Sequence, residues 1–286
     1  MPDGSQPRKL MLAMQAFLRK ALERLDANMR TFLNGLRKAG YGSIPILLFF
    51  ILWEVGAAII PEGVISSPSQ AIRSLYHSAV SDTLFKQMGV SLGRVGLGFG
   101  LSFVIAVPLG FLLGTFFRGF ERFLLPFLRM CEKLNPFAII PIFMIFFGIG
   151  TAEKVAVIFW AANWPLLFQT IAGARGVDPQ LVRAARSMGA SRKELFFKVI
   201  LPYTLPNIFT GIEIAAQISF FMIIASEVIG ASTGLGWYYV NATVRYDLPL
   251  MYGVVLFITL LAIIINVVFG RLKKHFLVWK EAVEIG

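Results

Sequence analysis

Six long runs of apolar residues, separated by short polar and basic segments, dominate the chain. They cover residues 44–60, 90–116, 134–149, 154–173, 204–230 and 250–270. A helix crosses the hydrocarbon core of a bilayer with about 20 predominantly apolar residues, and with somewhat fewer when other helices surround it. The pattern therefore predicts six membrane-spanning helices.

Two of the predicted spans are short and carry residues that disturb helices. Pro136 and Pro141 interrupt the third run, and Asn163 and Pro165 interrupt the fourth. Backbone groups that lose their helical partners at membrane depth are tolerated only where protein or a water-filled cavity satisfies them. We therefore expect these two helices to be broken and to lie on the inside of the bundle.

The segment before the first run, residues 1–43, predicts an amphipathic helix. Its apolar residues recur at spacings of three and four: Met11, Met14, Leu18, Ala21, Leu25, Met29, Phe32 and Leu36. Basic side chains occupy most of the remaining faces. Such a helix is expected either in the lipid headgroup layer or packed on the cytoplasmic face of the protein itself.

Composition supports a membrane protein. Hydrophobic residues make up 57% of the chain and charged residues only 15%, with a mean hydropathy of +0.72. Soluble domains keep about a quarter of their residues charged. The chain is therefore predicted to be an all-α integral membrane protein, with a basic segment at 1–43, a membrane domain at 44–273 and a tail at 274–286.

The net charge of +11 predicts an orientation rather than a nucleic-acid site. The basic residues lie in short segments between the apolar runs, whereas a nucleic-acid surface would concentrate them on one solvated domain. With the N-terminus in the cytoplasm, twenty Lys and Arg residues fall on the cytoplasmic side and five, Arg94 and Lys154 among them, on the outer side. The positive-inside rule then predicts that both termini are cytoplasmic.

Few residues are suited to catalysis or metal binding. Cys131 is the single cysteine, which excludes an intrachain disulfide and a cysteine-based metal site. The two histidines, His77 and His275, lie far apart in sequence, and neither has a partner at catalytic spacing. A membrane enzyme is therefore disfavoured, and no metal or cofactor site is expected in this chain.

The segment between the fourth and fifth runs, residues 174–203, predicts a first short helix. Asp178 is a suitable N-cap, and Pro179 suits the first helical position because its missing N–H would be unpaired there. Gly189 can adopt the left-handed conformation that ends a helix after about three turns.

A second helix is predicted directly after the first. Ser191 and Glu194 have the spacing of a capping box, Ser-x-x-Glu, which marks a helix start. This helix should run to Leu201 and Pro202, where the fifth span begins. A helix–turn–helix is thus expected to protrude from the membrane, and the small pair Ala184 and Ala185 would let another surface approach closely.

The same segment resembles the EAA loop of permeases from binding-protein-dependent ABC transporters. That motif reads Glu-Ala-Ala, three residues, Gly, nine residues, Ile, one residue, Leu-Pro. Its positions correspond here to Arg183, Ala184, Ala185, Gly189, Val199, Leu201 and Pro202, of which five are identical. Arg183 replaces the motif's Glu and so reverses a charge at the contact that the family makes with its ATPase.

The resemblance extends over roughly residues 45–280. Further matching segments are Ser66–Ser69, Phe147–Gly150, Gly176–Pro179, Ala225–Glu227, Gly234–Gly236 and Trp279, which are similar to the branch that imports sulfonates, taurine, nitrate and similar small anions. The resemblance implies a MetI-like core of five helices with one added N-terminal helix. It also implies an inner-membrane location and three partners: ABC ATPase subunits, a second permease copy or paralogue, and an extracytoplasmic solute-binding protein.

Energy for transport is expected from a partner. The chain contains no Gly-x4-Gly-Lys-Ser/Thr motif, so it lacks a phosphate-binding loop of this type. The resemblance implies that ATP and Mg²⁺ are bound by the ATPase, and that residues 178–189 form the coupling helix seated on it. Asp178, Pro179, Ser191 and Glu194 would shape this coupling segment, together with the motif residues.

A candidate translocation pathway follows one face of the fifth span. Glu213, Gln217, Phe220, Ile224 and Glu227 recur at spacings of four, three, four and three. Carboxylates within spans are costly and therefore point to a role. We expect this face to border the pathway. The alternative for Glu227 is structural: it would cap backbone groups of the loop around Gly234.

The main alternative function is an ATP-independent carrier or channel. Many carriers contain two similar halves with paired broken helices. No clear internal repeat is present in this sequence, which favours the ATP-driven permease.

Overall fold

Every regular element of the described residues, 44–60 and 64–276 of this computed structural model, is helical. The helices are α1 (Ile44–Ile59), α2 (Pro68–Val80), α3 (Thr83–Phe111), α4 (Arg118–Glu132), α5 (Pro136–Phe147), α6 (Thr151–Arg175), α7 (Pro179–Ser187), α8 (Arg192–Leu195), α9 (Leu201–Gly230), α10 (Leu235–Val244) and α11 (Leu248–Phe276). Two π-helical turns, Leu112–Phe116 and Phe196–Ile200, extend α3 and join α8 to α9. The amphipathic helix predicted within residues 1–43 lies outside the described residues.

The first predicted run forms α1, which belongs to a separate compact unit that ends at Pro68. This helix is apolar but shorter than 18 residues. Within the same unit, the indole nitrogen of Trp53 donates a hydrogen bond to the Ser66 carbonyl at 3.0 Å. The run at 44–60 is therefore confirmed as an apolar helix over the residues that the structure describes.

The second unit, from Ser69 onward, contains the long apolar helices. Four of its described helical rods are long and apolar enough to cross a membrane: Thr83–Phe116, Thr151–Arg175, Arg192–Gly230 and Leu248–Phe276. A further span can be formed by α4 and α5 together, which are bent by 89° at the break between them. The described chain thus supports four to five spans, and the predicted number of six is not confirmed.

Of the predicted helix breaks, only the one at Pro136 is confirmed. The chain bends between Glu132 and Pro136, and Asn135 caps the start of α5 there. α6 instead continues through Asn163 and Pro165 for 25 residues, and α5 contains Pro141 within its length. A proline removes only one backbone donor, and packed neighbouring helices can hold the helix together around it.

The second coupling helix runs to Leu201, where α9 begins, as predicted, and it continues into α9 without interruption. α8, the π-helical turn and α9 form one rod of 39 residues from Arg192 to Gly230. Helices α2, α4 and α10 were not predicted. All three are too short to cross a bilayer by themselves, and a search for long apolar runs does not detect such helices.

α6 and α9 form the centre of the second unit, and α3 packs closely on α6. The contact surface of α3 carries a small residue at every fourth position: Gly98, Ser102, Ala106, Gly110 and Gly114. A methyl group added at Gly98 would lie 2.6 Å from Cβ of Ile158, and one at Gly110 would lie 2.6 Å from Cβ of Thr170. Small residues allow such close approach in membrane helices, where packing drives association.

Candidate coupling segment and polar core of the helices

The first part of the coupling segment, α7, has the predicted caps. The Asp178 carboxylate accepts a hydrogen bond from the Gln180 backbone amide at 2.7 Å, and Pro179 occupies the first helical turn. Gly189 has a φ of +82°, the left-handed conformation expected after the helix end. The structure therefore confirms the predicted start and end of this helix.

The second helix of the segment begins with a complete capping box. Glu194 accepts a hydrogen bond from the Ser191 amide at 3.0 Å, and the Ser191 hydroxyl accepts one from the Glu194 amide at 3.3 Å. The hydrogen bond from the Ser191 amide and the ion pair with Lys198 lower the pKa of Glu194 to about 2. The carboxylate is therefore ionised at physiological pH, and the cap is fully formed.

The two alanines of α7 point to different sides. Ala185 is only 7% exposed and packs in an apolar cluster with Ala174 and Leu195. Ala184 is exposed, as are Leu181 and Met188, which lie on the same helical face. We call Leu181, Ala184 and Met188 the outer face of α7. The surface that α7 offers to another protein thus includes Ala184 and not Ala185.

Motif residues Leu201 and Pro202 are half-buried and lie within the rod that joins α8 to α9. Arg183 is exposed on α7 and makes no ion pair with the other described residues. Since a helix rises 1.5 Å per residue, a rod of 39 residues is about 58 Å long. The capping box therefore starts the same continuous helical rod that carries the candidate pathway face.

Near the far end of that rod, Glu227 is buried in a hydrogen-bond network. Its carboxylate accepts from Nη1 of Arg94 at 2.7 Å, from the Ser91 hydroxyl at 2.8 Å and from the Gly236 amide at 3.0 Å. The same Arg94 guanidinium donates to the Thr233 carbonyl at 2.9 Å. An α3 side chain and an α9 side chain thereby hold the loop between α9 and α10.

The network also completes the N-terminus of α10. The Leu235 amide donates to the Ser91 hydroxyl at 2.9 Å, and Gly234 donates to the Gln87 side chain at 2.6 Å. Together with the bond from Gly236 to Glu227, these contacts satisfy amides that have no partner within the first turn of α10. A carboxylate at a helix N-terminus is also favoured by the helix dipole. This is the contact described by the capping alternative for Glu227.

A second buried ion pair lies beside the first. The Lys154 ammonium is 2.9 Å from Glu153 and donates to the Gly230 carbonyl at 2.7 Å. Glu153 also accepts from the Ser226 hydroxyl at 2.8 Å. Lys154 and Arg94, assigned to outer segments by the charge count, thus lie within helices and are neutralised by buried carboxylates. This pair joins the start of α6 to the end of α9.

The middle of the candidate pathway face contacts α11. Glu213 forms an ion pair with Lys273 at 2.9 Å, and the Gln217 amide donates to the Asn266 side chain at 2.8 Å. Next to these contacts is a groove of about 540 Å³ between α9 and α11, open on one side. Its lining is Gln217, Phe220, Phe221, Ile224, Ile258, Thr259, Ala262, Ile263, Ile265 and Asn266. Three of the five predicted pathway residues therefore share one groove, to which Glu213 and Glu227 do not contribute.

Sequence reasoning missed the buried partners of α4 and α6. Glu121 on α4 is fully buried and pairs with Arg175 at the end of α6. Glu153 is equally buried. Carboxylates next to long apolar runs were the available signal, but their partners are distant in sequence. Among the described residues, no group of three or more His, Cys, Asp or Glu side chains is placed to hold a metal ion.

Two characterised permeases have similar sequences. The taurine transport system permease protein of Escherichia coli is 28% identical over 85% of this chain and 90% of its own length. The nitrate import permease protein of Leptolyngbya laminosa is 28% identical over 82% of this chain and 87% of its own length.

A solved structure shares the fold. In an inward-facing structure of the MetNI methionine ABC transporter, one chain superposes with a TM-score of 0.60 at 18% identity, covering 69% of this chain and 98% of that chain. At this identity, the likeness establishes the fold alone. It agrees with the MetI-like core that the EAA-like motif implied.

The family model of the binding-protein-dependent transport system inner membrane component matches residues 106–277. This range includes the coupling segment, the candidate pathway face and the groove. The chain therefore belongs to that family, the membrane-embedded and non-enzymatic permease subunits of ABC importers.

Proposed function

We propose that this permease carries a small anion, delivered by a solute-binding protein, and that its movement is driven through α7 by an ATPase that binds ATP and Mg²⁺. The proposal depends above all on one observation: α8, the second helix of the coupling segment, is continuous with α9. A force applied at α7 can reach this rod because Ala185 of α7 and Leu195 of α8 pack in the same apolar cluster. The relatives named for taurine and nitrate support a solute that carries an oxyanion group, since taurine has a sulfonate and nitrate is itself an oxyanion.

The outer face of α7 is the proposed contact with the ATPase. Leu181 and Met188 are 49% and 82% exposed although both are apolar. Exposed apolar side chains next to basic ones are typical of an interaction surface. Arg183 would then contact the ATPase through a positive charge in place of the motif's negative one. We propose that this face, and with it both chain termini, is cytoplasmic, in accord with the distribution of Lys and Arg.

The face of α9 that carries Gln217, Phe220 and Ile224 is the proposed pathway lining. The Gln217 and Asn266 side chains are both exposed in the single chain. Polar side chains within spans are expected to face protein or water rather than lipid. We therefore propose that a second permease copy, or a paralogue, covers this face and leaves an aqueous pathway between the two. Glu213 would border it as a carboxylate neutralised by Lys273.

Glu227 has a different proposed role from the other residues of this helical face. It shares the helical face with the other four residues, but its hydrogen bonds to Ser91, Arg94 and Gly236 support a role in holding the outer loop. That loop and α10 are the proposed docking region of the solute-binding protein, since they follow the outer end of α9.

Two measurements test the proposal. The unaltered chain, expressed with its native partners and purified in mild detergent, should retain an ABC ATPase, and vesicles containing the complex should take up taurine or nitrate only with ATP. Uptake that persists without ATP, in a preparation lacking an ATPase, would support a secondary carrier instead.

The pathway assignment has its own test. The double substitution E213Q and Q217L removes the ion pair with Lys273 and the hydrogen bond to Asn266. We expect a reduction of about tenfold in uptake per ATP hydrolysed. Uptake and coupling equal to those of the unaltered complex would contradict the assignment.

A further inference from the structure

The centre of α6 carries three side chains whose polar atoms are buried without a hydrogen-bond partner among the described residues. They are Nε1 of Trp160, Oδ1 of Asn163 and Nε1 of Trp164. Positions 160, 163 and 164 lie on one face of the helix. Buried polar atoms in native structures are nearly always paired, so three on one stripe require an explanation. We call these three residues the tryptophan stripe.

The stripe is built into an aromatic ladder. The rings of Trp160 and Trp164 meet edge to face with centroids 5.0 Å apart, and Trp164 stacks on Phe168 at 6.4 Å. Phe143 of α5 covers Trp160 at 6.3 Å. The indoles are thus held in fixed orientations, and Trp164 is only 8% exposed. Rigid placement of a donor lowers the entropy that a ligand must lose on binding.

A positive charge lies next to Phe168, the last ring of the ladder. The Arg129 guanidinium on α4 is 5.4 Å from the centre of the Phe168 ring. Unlike Arg94, Lys154 and Arg175, it forms no ion pair with the described carboxylates. Two unpartnered indole N–H donors favour an anion, because hydrogen bonds to charged groups are stronger than those between neutral groups. The Arg129 guanidinium against Phe168 adds positive charge at one end of the ladder.

The helix that covers the stripe is set between two breaks. α5 is preceded by the bend after Glu132 and followed by Gly148, whose φ of +72° ends the helix. A short helix with a non-helical link at each end can shift against α6 without deforming it. Such a shift would uncover Trp160, which the Phe143 ring of α5 covers.

We propose that Trp160, Asn163 and Trp164 form an oxyanion site within the membrane, which takes the sulfonate or nitrate group of the solute during its passage. This inference rests on the proposed function, because it names the side chains that would receive the anion. The two indole N–H groups donate to the oxygens of the anion, and Arg129 supplies the attracting charge. Oδ1 of Asn163 is an acceptor, and it would take a hydrogen bond from the ammonium group of a zwitterion such as taurine.

Isothermal titration calorimetry of the full-length chain in detergent tests the site directly, because its signal does not depend on the indoles themselves. Methanesulfonate and nitrate are the probes, with chloride at the same ionic strength as the reference. We expect saturable binding of both oxyanions. The double substitution W160F and W164F keeps the aromatic ladder but removes both N–H donors. It should raise the oxyanion concentration at half-saturation by about tenfold or more. W237F, which removes a tryptophan on α10, is the matched control and should retain the response.

The possible results distinguish a failure of the proposed oxyanion site from a failure of the proposed transport function. Three results would overturn the site, provided that the unaltered and doubly substituted chains have the same midpoint of thermal unfolding. The first is an equal response of these two chains to the oxyanions. The others are an equal response to chloride and to the oxyanions, and the absence of any saturable response. In the reconstituted complex, the double substitution should reduce uptake about tenfold while ATP hydrolysis stimulated by the binding protein persists. An unaltered complex without ATP-dependent uptake would instead contradict the proposed function, whatever the binding titration shows.

Discussion

Arg94 of α3 and Glu227 of α9 form a buried ion pair in which Nη1 and Oε1 are 2.7 Å apart. Both partners also hold the loop between α9 and α10, through Thr233 and Gly236. Three helices and one loop are therefore joined at this point by side chains that are 133 positions apart in sequence. The ion pair therefore stabilises the packing of these helices at one end of the bundle.

Removal of one partner should strongly destabilise the membrane domain. R94M leaves the Glu227 carboxylate buried and unpaired, a change that costs about 3–5 kcal/mol in comparable buried pairs. The free energy of unfolding, measured in detergent by denaturant titration, should fall by this amount. Adding E227Q to R94M removes the uncompensated charge and keeps the bonds from Ser91 and Gly236, so part of the loss should be recovered. A double variant less stable than R94M would contradict this account.

The contact between α3 and α6 should depend on particular glycines. G98A and G110A place a methyl group 2.6 Å from Cβ of Ile158 and of Thr170, so the helices must separate. Overpacking of this kind costs about 1–3 kcal/mol. G96A and G100A are matched controls on the same helix, since a methyl group there has no neighbour within 4 Å. Thermal unfolding in detergent should show lower midpoints only for the first pair, and equal midpoints for all four variants would refute the packing argument.

Local signals explain why the coupling segment was predicted in detail. Asp178, Gly189 and the pair Ser191 and Glu194 act within a few residues of themselves, through hydrogen bonds to their own backbone. The spacing of these residue types along the chain therefore predicts the helix ends, as long as tertiary contacts do not disturb them. The start and end of α7 followed correctly from that spacing.

The features that sequence reasoning missed depend on distant partners. Glu121 pairs with Arg175 across 54 positions, and Ser226 bonds to Glu153 across 73. Pro165 leaves α6 unbroken because α9 packs against it: a methyl group at Gly211 would lie 3.2 Å from the Pro165 carbonyl oxygen. A hydropathy pattern contains no information on such contacts. The same limit explains why α5 was predicted alone as a short span, without α4, with which it forms a pair bent by 89°.

The capping box of the coupling segment should remain formed at low pH. The pKa of Glu194 is lowered from 4.5 to about 2, mainly by the hydrogen bond from the Ser191 amide. Because the pKa is depressed in the folded state, the carboxylate's contribution is fully present above about pH 4.5 and is lost as the pH falls through about 2. Hydrogen-exchange protection of the Ser191 amide, corrected for intrinsic exchange, should be unchanged between pH 7 and pH 5. E194Q should reduce protection at both values, whereas a fall in protection of the unaltered chain over this range would count against the assignment.

The two alanines of α7 provide the sharpest test of the coupling surface. A184D introduces a charge on the outer face, where the unbound chain can hydrate it, so folding should be unaffected. Association with the ATPase should weaken by at least about tenfold, because a buried unpaired charge at an interface centre costs several kcal/mol. Co-purification and ATP-driven uptake should both fall, while the midpoint of thermal unfolding stays the same.

A185D should fail in a different way. Ala185 packs in the protein's own apolar cluster with Ala174 and Leu195, so the carboxylate would be buried within the permease itself. The free energy of unfolding should fall by about 3 kcal/mol or more, and the yield of folded protein should fall with it. If A185D folded normally and only lost the ATPase, or if A184D destabilised the isolated permease, the two faces of α7 would have been assigned in reverse. The pair of variants thus separates loss of the partner from loss of the fold, which neither substitution can do alone.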